Sequence, residues 1–272
     1  MRIHAVPQRR GALGPNAGGL PAGCRALAAL AGEVLGVPVR EVPVTDAESD
    51  TVHGIANRET LLRNRSAQLA ALEAPAGPVL TIGGDCGVEL VPVALARYRH
   101  GERLGVAWFD AHADLNTAAS SPSGAYHGMV LRSLLGEGDP EFAADPAVLP
   151  GRAVLCGARA FDPAERAAVH AGLAGHVQSA EDPLQVAAAL RASGAERIYL
   201  HLDLDVLDPA EFGHLNYPEP GGLSIAQLAA AIGGLAGFEV VDAGITECVG
   251  AEPADLRPLV PVLEAIGALL GR

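Results

Sequence analysis

Two clusters of metal-type side chains stand out in this sequence of 272 residues. In the first, Asp110, His112 and Asp114 alternate with alanines directly after the apolar run 105–109. If the backbone stays extended there, the three side chains point to one side and form a set of oxygen and nitrogen ligands. A lone pattern of this kind is equally compatible with a strand that ends in a solvated turn, because short patterns recur by chance.

The second cluster follows the apolar run 198–202. Asp203 and Asp205 share one face of an extended chain, and two unpaired carboxylates at the end of an apolar strand repel each other at a high cost. A bound cation removes that cost, whereas Asp208 and Pro209, which continue the motif, fit a structural role in the loop. The two clusters together suit divalent ions such as Mn²⁺. Two ions that share carboxylates would hold a hydroxide between them as a nucleophile.

The elements that must position these clusters alternate along the whole chain. Short runs rich in β-branched residues predict strands, and the Ala- and Leu-rich amphipathic segments between them predict helices. The predicted strands are 2–6, 39–44, 79–82, 105–109, 153–156, 176–178, 198–203 and 240–245. This alternation predicts one α/β domain over residues 1–272, with a mostly parallel sheet covered by helices on both faces. Both clusters fall at the carboxyl ends of strands, where such sheets bind ligands.

Composition and charge narrow the classes of function. The chain has 19 basic and 32 acidic residues, and the resulting charge of −13 argues against nucleic acid and anionic membranes as partners. It favours small neutral or cationic ligands and metal ions. No apolar run is long enough to span a bilayer, the N-terminus lacks a signal sequence, and the four cysteines are widely separated. We therefore expect a cytoplasmic protein with reduced cysteines.

The ordered motifs resemble those of the arginase/agmatinase (ureohydrolase) family over nearly the entire chain. They are Gly83-Gly84-Asp85-Cys86 where the family has GGDH, Asp110-Ala111-His112-Ala113-Asp114, His127-Gly128-Met129, the run from Asp203 to Pro209, and Glu247. The resemblance implies a single three-layer α/β domain with a mainly parallel eight-stranded sheet, and two Mn²⁺ ions per chain. Many members are trimers or hexamers. This chain ends soon after its last predicted helix, which is compatible with a monomer and leaves a homo-oligomer open.

The resemblance also implies roles for the residues of the two clusters. Asp110 and Asp203 would bridge the two ions. Asp114 would complete one metal site and steer the proton of the attacking hydroxide, and His112 with Asp205 would complete the other site.

Two further residues receive catalytic and binding roles from the resemblance. His127 would carry protons and assist departure of the amine, and Glu247 would anchor the guanidinium group. From the residues alone, His127 also fits a helix-start histidine bonded to a backbone carbonyl. Glu247 likewise fits a surface acid at the end of a strand.

The loop before the His-Gly-Met motif bears on the substrate. Arginases carry Asn and hydroxyl residues here that hold the α-carboxylate of an amino acid, and agmatinases lack this set. Asn116, Ser121 and Ser123 fit the arginase pattern, and Asp162 matches the acid that receives the α-amino group. Ordinary turn chemistry also accounts for the serines. Together the four residues predict a small-molecule guanidino amino acid as the substrate.

Cys86 departs from the family pattern, which has a metal-binding His at this position. A thiol is a poor ligand for Mn²⁺, so Cys86 is expected to bind the adjacent ion weakly or not at all. Three interpretations compete: a lapsed enzyme that only binds ligand, a covalent cysteine nucleophile, and a site tuned for a substrate that needs less activation. The third is similar to the branch of the family that cleaves Nω-hydroxy-L-arginine to hydroxyurea and L-ornithine in D-cycloserine biosynthesis, which also carries Cys here. We expect that activity, with L-arginase as the alternative.

Overall fold

Eight parallel strands form one sheet in the computed structural model, which describes residues 1–72 and 77–271. The strands are β1 (Arg2–Val6), β2 (Val39–Glu41), β3 (Val79–Gly83), β4 (Leu104–Phe109), β5 (Ala153–Cys156), β6 (Ala174–Val177), β7 (Arg197–Asp203) and β8 (Glu239–Thr246). Their spatial order is β2-β1-β3-β8-β7-β4-β5-β6, and each adjacent pair is parallel. Each predicted strand overlaps one of these, but the prediction 39–44 continues three residues past β2, and the prediction 176–178 begins two residues after the start of β6. The predicted domain boundary at residue 272 lies outside the described residues.

Helices cover both faces of the sheet. They are α1 (Leu20–Leu35), α2 (Arg58–Leu72), α3 (Leu90–His100), α4 (Val130–Leu134), α5 (Pro163–His170), α6 (Pro183–Ala192), α7 (Ile225–Gly233), α8 (Pro253–Leu256) and α9 (Val260–Leu270). Helices α1, α6, α7 and α9 share one apolar core with the sheet, and α2 to α5 share the other. Alternate residues of a strand enter the two cores, as Phe109 and Trp108 of β4 do. Within residues 1–72 and 77–271, no helix is long and apolar enough to cross a membrane.

The four central strands end at the same edge of the sheet and carry the predicted site residues. Cys86 follows β3, Glu247 follows β8, Asp203 ends β7, and Asp110 follows β4. Because these strands are parallel neighbours, their carboxyl ends form one surface. This is the edge at which α/β sheets bind ligands.

A buried ion pair joins helix α2 to the loop that follows α4. The Nε and Nη2 atoms of Arg58 donate hydrogen bonds to the two carboxylate oxygens of Asp139, both at 2.9 Å, and Arg58 also contacts Glu141. Arg58 and Asp139 are buried. The hydrogen bonds from Arg58 hold the pKa of Asp139 below its usual range.

We expect Asp139→Ala to lower the free energy of unfolding by roughly 2 kcal/mol, because a buried guanidinium loses two charge-assisted hydrogen bonds. Denaturant unfolding at neutral pH measures the loss. The stabilisation by this ion pair requires an ionised Asp139. It is therefore complete above about pH 4 and is lost as the pH falls through the lowered pKa of Asp139. The matched control is Glu59→Ala, which removes an exposed pair with Arg63 and should change stability by less than about 0.5 kcal/mol. Equal losses in the two variants would contradict this account.

Candidate metal centre and substrate cleft

The loop after β3 holds Cys86 in a fixed position. Asp85 is fully buried and accepts hydrogen bonds from the side-chain amide of Gln8 at 3.0 Å and from the backbone nitrogen of Gly11 at 2.8 Å. A Cβ atom at Gly84 would lie 1.7 Å from the carbonyl oxygen of Gln8. The close approach of the two loops therefore requires glycine at position 84.

The thiol of Cys86 lies among polar atoms of three neighbouring residues. Its Sγ atom is 3.1 Å from Oδ2 of Asp203, 3.0 Å from Oγ1 of Thr246 and 3.8 Å from Nε2 of His201. Burial, and then the charges of Asp203 and Glu247, raise the pKa of Cys86 well above its ordinary range. These charges favour the protonated thiol, and the geometry places its S–H to donate a hydrogen bond to Asp203. A thiol that is buried beside carboxylates does not fit the covalent-nucleophile interpretation.

The backbone of both carboxylate clusters turns immediately after its strand, so the expectation of extended segments was wrong. Oδ1 of Asp110 accepts a hydrogen bond from the backbone nitrogen of His112 at 2.6 Å, and Asp114 has a φ of 53°. In the second cluster, Oδ1 of Asp203 accepts from the nitrogen of Asp205 at 2.8 Å. Each aspartate thus caps the backbone two residues ahead, which bends the chain. The bends bring Nδ1 of His112 to 2.9 Å from Oδ2 of Asp205.

The potential metal ligands converge in groups of three. Within each group the ligand atoms lie within 4.8 Å of one another; the groups are Asp110, His112 and Asp205, then Cys86, Asp110 and His201, then Cys86, Asp203 and Glu247. Asp110 and Cys86 each belong to two groups and Asp203 belongs to one, so the grouping suits the predicted bridging role for Asp110 and does not distinguish it for Asp203. Among the described residues, Asp114 belongs to none of these groups, although it lies in the same cleft.

The pKa values and hydrogen bonds of the acidic residues indicate whether the site suits a metal ion. Burial, and then the neighbouring carboxylates, raise the pKa values of Asp110, Asp114 and Asp203. Burial also acts on Asp205, but the positive charge of His112 lowers its pKa overall. In the described part of the chain, Oδ2 of Asp114 is buried without a hydrogen-bond partner. Protonation or a bound cation relieves the repulsion between buried carboxylates, and a cation does so while the groups stay ionised. The oxygen and imidazole donors therefore fit the predicted divalent ions.

One cleft of about 270 Å³ opens over these residues. Ten of the twelve predicted site residues line it, and these are His112, Asp114, Asn116, Ser121, Ser123, His127, Asp162, Asp203, Asp205 and Glu247. The other two, Cys86 and Asp110, are fully buried next to lining residues. Glu165 and Tyr217 also line the cleft and were not predicted.

His127 and Glu247 face each other in the cleft. Nδ1 of His127 is 3.2 Å from Oε1 of Glu247. The same oxygen accepts from the backbone nitrogen of Cys86 at 2.8 Å, and Oε2 accepts from Asn216 at 2.7 Å. Burial alone would lower the pKa of His127, but the charge of Glu247 raises it overall. Glu247 is buried and has a φ of 67°, so the surface-acid interpretation is wrong. The His127 ring pairs with the Glu247 carboxylate. The alternative from the sequence, a helix-start histidine bonded to a backbone carbonyl, did not predict this contact.

The residues predicted to bind the amino acid group of the substrate each make hydrogen bonds within the protein. Nδ2 of Asn116 donates to Oδ2 of Asp162 at 2.8 Å. The hydroxyls of Ser121 and Ser123 accept from backbone nitrogens of their own loop at 3.0 and 3.1 Å. Both serines therefore take part in turn chemistry and also line the cleft.

Residues that contact the predicted ligands were missed by sequence reasoning. His201 and Thr246 contact the Cys86 thiol, and Tyr217 places its ring 5.3 Å from that of His127. One signal could have identified His201. It precedes Asp203 by two positions in the same strand, and side chains two apart share a face.

The fold and this carboxylate-rich centre define a candidate metallohydrolase of the three-layer α/β type. A sequence model described as the Arginase family matches residues 7–252. The arginase of Bacillus caldovelox is 32% identical over 222 residues, which span 74% of this chain and 73% of that protein. The chain belongs to the arginase family of hydrolases that act on C–N bonds of amidines, as its motifs predicted.

Solved structures show the same fold. The native structure of Bacillus caldovelox arginase has a TM-score of 0.84 and 27% identity, and the match covers 100% of this chain and 98% of that one. The arginase of Entamoeba histolytica in complex with L-ornithine has a TM-score of 0.84 and 24% identity, with the same coverage. The predicted single α/β domain with an eight-stranded sheet is therefore confirmed.

Proposed function

We propose that the protein hydrolyses Nω-hydroxy-L-arginine to hydroxyurea and L-ornithine. The observation that carries this proposal is the buried thiol of Cys86, which donates a hydrogen bond to Asp203 where the family has a metal-binding imidazole. A thiol is a weaker ligand for Mn²⁺ than an imidazole is. The N–O bond of the substrate withdraws electrons, so its guanidino group is less basic and its carbon is easier to attack. Such a substrate tolerates a weaker metal site than L-arginine does.

The metal ligands in this proposal are five residues at the edge of the sheet. Asp110 and Asp203 would share two Mn²⁺ ions, Asp114 would complete one position, and His112 with Asp205 would complete the other. When bound, the two ions would lower the pKa of a water molecule and balance the negative charge that develops during the attack.

The remaining steps depend on side chains of the cleft. Glu247 orients the planar guanidinium through Oε2, which accepts one hydrogen bond from Asn216 and keeps a second lone pair for an N–H of the substrate. Asp114 accepts a proton from the attacking water. His127, held by Glu247 at 3.2 Å, donates a proton to the nitrogen of the departing ornithine.

The polar end of the cleft is proposed to bind the amino acid group of the substrate. Asn116, Ser121 and Ser123 would hold the α-carboxylate, and Asp162 would receive the α-amino group. The Entamoeba histolytica arginase of the same fold was crystallised in complex with L-ornithine, the product proposed here. That complex supports an amino acid as the ligand of this fold.

L-Arginase activity is the second candidate. The 32% identity to an arginase favours it. Cys86 weighs against it, because L-arginine requires a more strongly activated nucleophile than hydroxyarginine.

Incubation with Nω-hydroxy-L-arginine and Mn²⁺ is expected to yield hydroxyurea and L-ornithine in equal amounts. A chelator should abolish the reaction and added Mn²⁺ should restore it, because the water nucleophile depends on the ions. Product formation by mass spectrometry measures both. Full activity in a metal-stripped sample would instead favour a cysteine nucleophile. Urea from L-arginine without hydroxyurea would favour the second candidate, and no turnover of any guanidino amino acid would indicate a lapsed enzyme.

A further inference from the structure

A buried histidine to which the proposed function gives no role, His201, lies next to Cys86. His201 stands in β7 and is fully buried. Its Nε2 atom is 3.8 Å from Sγ of Cys86, and its ligand atom lies within 4.8 Å of that of Asp110. One ring nitrogen of His201 therefore faces the candidate metal centre.

The other ring nitrogen of His201 faces a carboxylate. Nδ1 lies 3.3 Å from Oε2 of Glu89, which is also fully buried. Within the described residues, neither oxygen of Glu89 nor Nδ1 of His201 makes a well-directed hydrogen bond, so the two buried groups are in ion-pair contact and each has capacity left for the other. Glu89 ends the short 3₁₀ turn that begins at Cys86, so one turn positions both residues. A Cβ atom at Gly244 would lie 2.1 Å from Oε1 of Glu89, so β8 carries glycine where this carboxylate passes.

The ring of His201 is also held from the side. It stacks on the indole of Trp108, with ring centroids 3.6 Å apart and an angle of 26° between the planes. Trp108 is the register partner of His201 across β4 and β7, and its Nε1 donates to Oδ2 of Asp110 at 3.0 Å. The ring therefore lies in a fixed orientation, with one nitrogen toward Glu89 and the other toward the centre.

We propose that His201 is a metal ligand, and that its Nε2 reaches the ion next to Cys86 from β7 and holds it more weakly than the loop imidazole of the family would. Histidines that ligate metals almost always donate their other ring N–H to a carboxylate or a carbonyl, and Glu89 is placed to receive it as a positioning residue. The inference rests on the proposed metal-dependent function and deepens it. In this proposal His201 of β7 would hold the cation next to Cys86, and the loop after β3 would contribute only a thiol.

A Mn²⁺ titration followed by electron paramagnetic resonance of the free ion tests this ligand without substrate. The wild type should bind about two ions per chain and His201→Gln about one. Glu89→Gln should weaken the affinity for the ion next to Cys86 about 10- to 100-fold. The matched control is His4→Gln, which changes an equally buried histidine on β1 and should leave both ions bound. If His201→Gln binds Mn²⁺ as the wild type does, His201 is not a ligand.

A crystal structure of the wild type loaded with Mn²⁺ decides the question even if the His201 variant does not fold. The anomalous signal should show an ion within bonding distance of Nε2 of His201. Ions that contact only the aspartates and His112 would overturn the inference, and so would a site that binds no ion. Neither measurement involves turnover. A failure of hydroxyarginine hydrolysis alone would therefore count against the proposed function and leave the ligand assignment standing.

Discussion

Asp110→Asn and Asp203→Asn are each expected to abolish stable Mn²⁺ binding and to lower turnover by at least about 10³-fold. Asp110 belongs to two of the three ligand groups, and Asp203 belongs to the group that contains Cys86 and Glu247. Because each carboxylate is proposed to serve both ions, loss of its negative charge weakens both positions. Steady-state kinetics and metal analysis of the purified variants measure the two effects.

The control for these variants is Asp208→Asn in the same sequence motif. Asp208 accepts hydrogen bonds from the backbone nitrogens of Ala210 and Gly221, which is the structural role expected from the sequence. An asparagine keeps the acceptor for one of these two hydrogen bonds and changes no proposed metal ligand, so this variant should retain its metal and most of its activity. The shared-carboxylate account does not survive if Asp110→Asn or Asp203→Asn keeps most of the wild-type turnover.

Agmatine is expected to be a very poor substrate, with kcat/KM roughly 10⁴-fold below that of the amino acid substrate. Agmatine lacks the α-carboxylate, so the donors proposed at Asn116, Ser121 and Ser123 lose their partner in the cleft. Rejection of this size arises when a site is built around polar groups that the analogue leaves unpaired. The ratio of the two specificity constants measures the discrimination.

The same comparison in Asn116→Ala tests where the discrimination arises. This variant should have a lower kcat/KM for the amino acid substrate and a nearly unchanged kcat/KM for agmatine. The ratio of the two specificity constants should therefore decrease. Leu184→Ala, an exposed apolar residue of α6 outside the cleft, serves as a control and should leave the ratio unchanged. Comparable efficiency of the wild type on agmatine and on its amino acid counterpart would refute the roles assigned to this loop.

The sheet and the location of the site followed from the sequence because both depend on simple periodic signals. The apolar runs that end at Asp110 and Asp203 are buried on both faces in a parallel sheet, so they appear in the sequence as continuous apolar strands. Their polar ends necessarily meet at the carboxyl edge. The ordered motifs then identified the family.

The local geometry did not follow, because it depends on side chains that bond to the backbone. The turns at Asp110 and Asp203 arise from carboxylate caps, which an alternating pattern does not reveal. His201 was missed because a single imidazole in a strand is also compatible with an apolar core. Its partner Glu89 comes from a turn far away in the sequence, and only the packing of that turn against β7 and β8 joins them.

The most direct test of the account is the ratio of kcat/KM for Nω-hydroxy-L-arginine to kcat/KM for L-arginine, measured on the wild type with saturating Mn²⁺. Cys86 leaves one metal position without the loop imidazole of the family, so the less basic hydroxylated substrate should be strongly preferred. The account predicts a ratio well above one. A ratio at or below one would contradict the proposed link between Cys86 and substrate choice.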